Sequence, residues 1–384
     1  MNIFVLDSKS YGIDGICSAL TALGHTCTVC RCFLNGIRED KAIEASLKEA
    51  ILADSFDAVF SFNYFPLLSN VCNTLNIRYI SWIYDSPLVA LYSASVLNPC
   101  NFIFTFDREQ HKEFYNGGIT NIYYMPLAAN MSYYNSLNYS EHVLSSDICF
   151  VGSLYNEEHT LYDKLSGIND YTRGYLDALL AMQEQLYQKN VLQENLTKPV
   201  IDELMRVCPY KANKDGIETP AYIYANYFLP RRLAQTGRSA ILGRLSEHFN
   251  VTLYTHYNTP GLPAVINKGP ADYVTEMPYI FHHAKINLNM TLRSIKTGIP
   301  LRAFDIMGCG GFLLTNYQAE FFDYFEPGTD FAYYTDTDDL VETAAYYLEH
   351  EDKRQQIAAS GLQKIKAFHT FEARLNDIFS IVFN

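Results

Sequence analysis

Short apolar runs alternate with amphipathic stretches along the first 130 residues. The runs Asn2–Leu6, Thr26–Phe33, Ala58–Phe62, Arg78–Tyr84, Phe102–Phe106 and Asn121–Leu127 read as strands. Between them, the 3.6-residue spacing of apolar positions predicts helices from about Asp14 to Leu23, closed by Gly24, and over Asp40–Ala53, Pro66–Leu75 and Glu109–Tyr115, the last stopped by Gly117 and Gly118. Leu88–Val96 is expected to be helical as well. Strands and helices in strict alternation imply β-α-β units and a parallel sheet.

The pattern then restarts. Asp147–Val151 is a strand that breaks at Gly152 and Ser153. From about Asn156 to Thr219 the chain is helical and richer in Gln, Asn, Glu and Lys, and reads as an inserted helical element. Further along, strands are expected at Val251–Tyr254, Lys285–Met290 and Phe312–Thr315. Helices are expected at Arg231–Phe249, Met277–His283, from Leu301 to Met307, and over Asp338–His350, Lys353–His369 and Phe371–Val382. Two such sets imply an α/β protein of two facing Rossmann-like domains: residues 1–145, residues 146–370 with an insertion at about 156–220, and a helix within 371–384 able to pack back on the first domain. Ligands in such sheets bind off the carboxyl ends of the strands.

Composition narrows the function. A chain of 384 residues with 48% hydrophobic and 18% charged residues has material for two cores. A net charge of -13 argues against a nucleic-acid partner, which calls for a basic stripe. The start, Met1–Asp7, lacks the features of a signal peptide, and no apolar window is long enough to cross a bilayer. A cytoplasmic protein is therefore expected, with peripheral membrane association left open. Cys27, Cys30 and Cys32 read as part of a strand, since no second ligand pair completes a zinc set. Neither half carries G-x-G-x-x-G after its first strand, nor a P-loop, which disfavours nicotinamide, flavin and P-loop chemistry.

The informative stretch runs from Ile286 to Gly328. A strand ends in a polar loop holding Arg293, Lys296, Thr297, Gly298 and Ile299, and a helix opens at Pro300 or Leu301. Proline suits a first helical turn because its missing N–H would be unpaired there. A helix start attracts anions, and Arg293, Lys296 and Arg302 are the cations near it, so a diphosphate is the expected guest. Asp305, three residues after Arg302, shares its side of the helix. It is placed either to accept from the two hydroxyls of a ribose or merely to pair with Arg302.

The segment Gly298–Asn316, followed by Phe325-Glu326-Pro327-Gly328, resembles the C-terminal domain of the CgeB-like spore-protein glycosyltransferases, relatives of the glycosyltransferase family 4 group. Asp147–Ser153 resembles the first strand of that domain, and Ile80–Pro87 is similar to a signature of the fused N-terminal domain DUF3880. The resemblance implies the GT-B fold and transfer from a nucleotide-diphosphate sugar, with a UDP-sugar favoured, to a hydroxyl of a glycan or protein. No other cofactor is implied. The donor would sit in the C-terminal domain near Gly152, Ser153 and the 293–305 segment. Asp305 would take the place of the glutamate that holds the donor ribose. Thr297 stands where retaining relatives carry a second glutamate, so the stereochemical course does not carry over.

On the other side of the cleft, Asp85 follows strand Arg78–Tyr84 directly, with Trp82 and Tyr84 alternating before it. It reads as a base or acceptor-binding carboxylate, or else as the cap of an Asp-Ser-Pro turn. Asp7, Asp14 and Asp107 are further carboxylates at strand ends, and His282 and His283 read as a helix end. Asp336 and Asp338 have D-x-D lettering but precede a helix, as an N-cap does. A metal is thus not expected; Arg293, Lys296 and Arg302 would stabilise the leaving diphosphate. Two other readings compete: an inactive transferase-like scaffold, motivated by Thr297, and a sugar-nucleotide epimerase, for which no paired acids are identifiable. The oligomeric state is left open.

Overall fold

The computed structural model describes residues 1–141, 146–186 and 189–384. Twelve strands among them form two six-stranded parallel sheets. The first contains β1 (Asn2–Asp7), β2 (Thr26–Arg31), β3 (Ala58–Phe62), β4 (Arg78–Trp82), β5 (Asn101–Thr105) and β6 (Ile122–Tyr124), in the order β2-β1-β3-β4-β5-β6. The second contains β7 (Ser146–Val151), β8 (Val251–Tyr254), β9 (Ile266–Asn267), β10 (Ala284–Asn289), β11 (Leu313–Asn316) and β12 (Ala332–Tyr334), in the order β9-β8-β7-β10-β11-β12. Counted within its own lobe, that second order is 3-2-1-4-5-6, the order of dinucleotide-binding sheets. Each sheet reverses direction once, between β1 and β3 and between β7 and β10, and each reversal opens a crevice at the strand ends.

Most expected elements form where the apolar pattern put them. β3 and β10 are almost wholly buried, as strands covered on both faces must be. β9 and β12, of two and three residues, are too short to show a period and were not foreseen. Leu88–Val96 is not one helix but two 3₁₀ turns, Val89–Tyr92 and Ala94–Leu97. Ser93 separates them, in an antiparallel bridge with Gly216, because the inserted segment takes up the polar groups of the backbone here.

The insertion has its own apolar core, in which Leu176, Leu192, Leu204 and Tyr224 are almost fully buried. It reaches across to the first lobe: Arg38 pairs with Asp215 at 3.2 Å and Glu218 at 3.5 Å, and Ile217 N donates to Tyr92 O. The helix Phe371–Val382 also returns to that lobe. Thr370 bridges Ala129, the ring of Phe371 packs near Phe62 and Trp82, and Arg374 Nε donates to Pro126 O.

Candidate functional site

The crevice of the second sheet is occupied by arginine. The helix Leu229–Ser246 buries Leu233, Ile241, Leu242 and Leu245, and Arg238 lies on that apolar stripe with only 7% of its surface exposed. Its guanidinium donates to Ser153 O and Met290 O, both at 2.6 Å, and so ties together the ends of β7 and β10. Arg302, in the first turn of the helix Leu301–Gly308, lies against the same Phe150 ring, 5.7 Å from its centroid against 5.4 Å for Arg238. A Cβ at Gly152 would lie 3.0 Å from Arg302 Nη2, so a larger residue here would press on the guanidinium.

Arg302 has no carboxylate within ion-pair distance and its buried Nε has no hydrogen-bond partner among the described residues. Burial, and then the charge of Arg238, lower its pKa to about 10. Tyr155 joins the cluster with a left-handed φ of 53°, its ring 5.3 Å from Arg238 and 5.8 Å from Arg231. A backbone held in that region by a residue other than glycine is a common sign of a functional site. Two cationic groups in a crevice, neither with a carboxylate within ion-pair distance among the described residues, are a receptor for an anion.

Asp305 lies one turn beyond Arg302, 3% exposed, and does not pair with it. Instead it accepts from Tyr134 Oη at 2.8 Å and from Tyr273 Oη at 3.2 Å. Burial raises its carboxyl to about 7, against the pull of the two hydroxyls and Arg302. Arg302, Asp305, Leu301, His256 and Tyr273 line a cavity of about 570 Å³ off this sheet, within the usual range for small-molecule sites. Tyr11 of the first lobe reaches over its mouth and meets Tyr273 with ring centroids 4.7 Å apart.

The loop before the helix does not gather its cations here. Lys296 Nζ is 2.7 Å from Glu113 of the first lobe, and Lys296 N donates to Asp107 at 2.6 Å. Thr297 Oγ1 lies 2.6 Å from Glu320 and 3.1 Å from Asp107. Gly298 crosses so close to Phe106 that a Cβ would sit 2.7 Å from its carbonyl oxygen, and Ile299 is buried. Arg293 lines a small cavity behind Arg238, beside Glu184, and its carbonyl accepts from Asn190. Of the three expected cations, Arg302 stands at the crevice, Arg293 lines the small cavity it shares with Arg238, and Lys296 is turned to the other lobe. Lys296, Thr297 and Gly298 form a contact between the lobes, because Asp107 is both the N-cap of the helix Arg108–Asn116 and the acceptor for this loop. Pro300 is the N-cap residue of its helix rather than its first turn, and Leu301 begins it.

The first sheet offers carboxylates instead. Asn63, left-handed at φ 59°, accepts from the backbone N–H of Tyr84 and Asp85 and donates to the Asp85 carboxylate at 2.8 Å. Asn adopts this conformation more readily than most residues, and here it fixes the turn after β4. Asp85 faces a cavity of about 660 Å³ lined also by Arg38 of its own lobe, Asn213 and Tyr227, and reaching Tyr155 and Arg231 of the second lobe. Surrounding protein raises its pKa above the ordinary carboxylate value, and Asn63 opposes the shift. Asp336 accepts from Asp338 N and Asp339 N as an N-cap. His282 and His283 end their helix bonded to backbone oxygens of Cys309 and Tyr139. Among the described residues there is no cluster of three side chains able to hold a metal ion, and no helix long and apolar enough to cross a membrane.

Sequence reasoning missed Arg238, Asn63, Tyr134 and Tyr273. Arg238 had a readable signal, a charge on the buried stripe of a helix. The tyrosines had none, being drawn together from distant segments.

Known proteins share this architecture. Residues 231–380 match a family of glycosyl transferase-like domains. Spore protein CgeB of Bacillus subtilis (strain 168) is 22% identical over 291 residues, 76% of this chain and 71% of that protein. Among solved structures, a glycosyltransferase from Rickettsia africae ESF-5 superposes with a TM-score of 0.54 at 9% identity, covering 100% of this chain and 99% of that one. Anabaena Alr3699/HepE in complex with UDP-glucose does so with a TM-score of 0.52 at 10% identity, covering 100% and 99%. The chain is thus CgeB-like in sequence and GT-B in fold.

Proposed function

We propose that the protein transfers a sugar from a nucleotide-diphosphate donor to an acceptor hydroxyl. The observation that carries this reading is Arg302, a cation without counter-charge beside Arg238 at the crevice of the second sheet. UDP-glucose bound to Anabaena HepE, on the same fold, supports a UDP-sugar as donor. The nucleoside would occupy the cavity beside His256 and Leu301, with the diphosphate at Arg302 and Arg238 and the sugar toward Tyr155 and Arg231. Asp305 would receive the ribose hydroxyls once Tyr273 releases it.

In the reaction an acceptor oxygen bonds to the anomeric carbon while the bond from that carbon to the diphosphate oxygen breaks. The electron pair leaves with the diphosphate, where the arginines meet the growing negative charge; a preorganised group of this kind contributes roughly 10²–10³ in rate. Asp85, with its raised pKa, takes the acceptor proton. The test is thermal stabilisation by UDP, GDP, dTDP and CMP. UDP should raise the melting temperature in proportion to the logarithm of its concentration, and Arg302→Ala should abolish the rise. No stabilisation by any of the four would refute the reading.

A further inference from the structure

A second cavity of about 570 Å³ adjoins the first sheet and shares Tyr11 and Tyr273 with the one at Arg302. Its walls come from the end of β1, the start of the helix Ile13–Ala22, the 130–134 segment, the returning helix at Phe371, and Tyr273 and Val274 of the second lobe. Tyr11, Tyr84, Tyr133 and Phe371 give it aromatic faces. Between them stand groups able to bond hydroxyls. The Asp14 carboxylate is exposed and has no ion pair or hydrogen-bond partner among the described residues. Asn130 uses its oxygen to cap the turn at Tyr133, and its Nδ2 donates to nothing among them. Tyr84, shared with the cavity at Asp85, carries a buried hydroxyl that is likewise unpartnered.

The charge of the lining selects among ligands. Asp7 and Arg31 pair at 3.5 Å and cancel, which leaves Asp14 as the uncompensated charge. A phosphate or uronate would be repelled, whereas a neutral sugar offers apolar ring faces to the tyrosines and hydroxyls to Asp14 and Asn130. We propose that this cavity is a subsite for a neutral oligosaccharide, the part of the acceptor that extends beyond the reacting sugar. Tyr11 lines this cavity, the one at Asp85 and the one at Arg302, while Tyr84 is shared with the former and Tyr273 with the latter, so a glycan held here adjoins the reaction centre. Its role as an acceptor subsite rests on the transferase reading, but its occupancy does not.

Calorimetric titration of the full chain separates the two. The probes are maltotriose, cellotriose and triacetylchitotriose, with trigalacturonate as the charged control and UDP as the donor-side ligand. At least one neutral trisaccharide should bind, trigalacturonate should not, and Asp14→Ala should weaken the neutral ligand about tenfold, the loss of one charge-assisted hydrogen bond. UDP affinity should be unchanged by Asp14→Ala, which also shows that the variant is folded. Tyr133→Ala should weaken the same trisaccharide by removing an aromatic face. Failure of all three neutral probes with the wild-type protein, or equal binding by both variants, overturns the subsite. Trisaccharide binding without UDP binding leaves the subsite standing and removes the transferase reading.

Discussion

The two sheets share a topology of one reversal and parallel strands, yet their crevices carry opposite chemistry. At the end of β7 and β10 stand Arg238, bonded only to backbone carbonyls, and Arg302, with no carboxylate within ion-pair distance. At the ends of β1 and β4 stand Asp7, Asp14 and Asp85 among aromatic rings. The fold supplies two crevices and says nothing of their contents. The cationic one suits a donor that leaves as an anion; the acidic one suits a neutral hydroxyl compound that must lose a proton.

Substitutions at each edge should therefore fail differently. The largest effect is expected from Asp85→Asn, which should lower kcat by about 10²–10⁴ while UDP affinity stays unchanged; a parallel loss of UDP affinity would erase the division of labour. Arg302→Met should lower kcat by roughly 10²–10³ and weaken UDP binding. Without ligand, its melting temperature should equal or exceed that of the wild type, because it removes a cation that the fold leaves uncompensated. A lower melting temperature would mean that Arg302 is structural.

Asp305 sharpens the contrast through pH. Its folded pKa of about 7 lies above the ordinary value near 3.8, so the native state binds the extra proton between them. Stability supplied by the protonated form is complete below about pH 4 and is lost as pH rises to about 7. Denaturation midpoints across that range should fall for the wild type and fall less for Asp305→Asn, the difference being on the order of 4 kcal/mol at most. The smallest effect is expected from Lys296→Ala. Its half-exposed pair with Glu113 contributes at most about 1 kcal/mol, and activity should stay within twofold of wild type. An activity loss matching that of Arg302→Met would place Lys296 at the donor after all.

What could be read in advance follows from range. The strands and most helices were legible because burial imposes a period on consecutive residues, as in the helix Phe371–Val382. Arg302 and Asp305 were legible because helix spacing puts them on one side. The destination of Lys296 was not, since it depends on Glu113 and Asp107 of the other lobe. Nor was the cover over Asp305, which requires Tyr134 and Tyr273, far apart in the chain. The break at Tyr224–Phe228, where the helical hydrogen bonding widens to a π-turn, is explicable only afterwards. Pro230 lacks the N–H that residue 226 would need, and the wider turn relieves the clash of its ring.

The return of Phe371 to Phe62 and Trp82 has a consequence for biosynthesis. Domains commonly fold as they leave the ribosome, the earlier one first. Here the first sheet emerges early but lacks a wall of its interior until residues 371–382 have been translated. In the interval its aromatic side chains are open to water and to other nascent chains, so the yield of native protein should depend on how well a chaperone shields that half during synthesis.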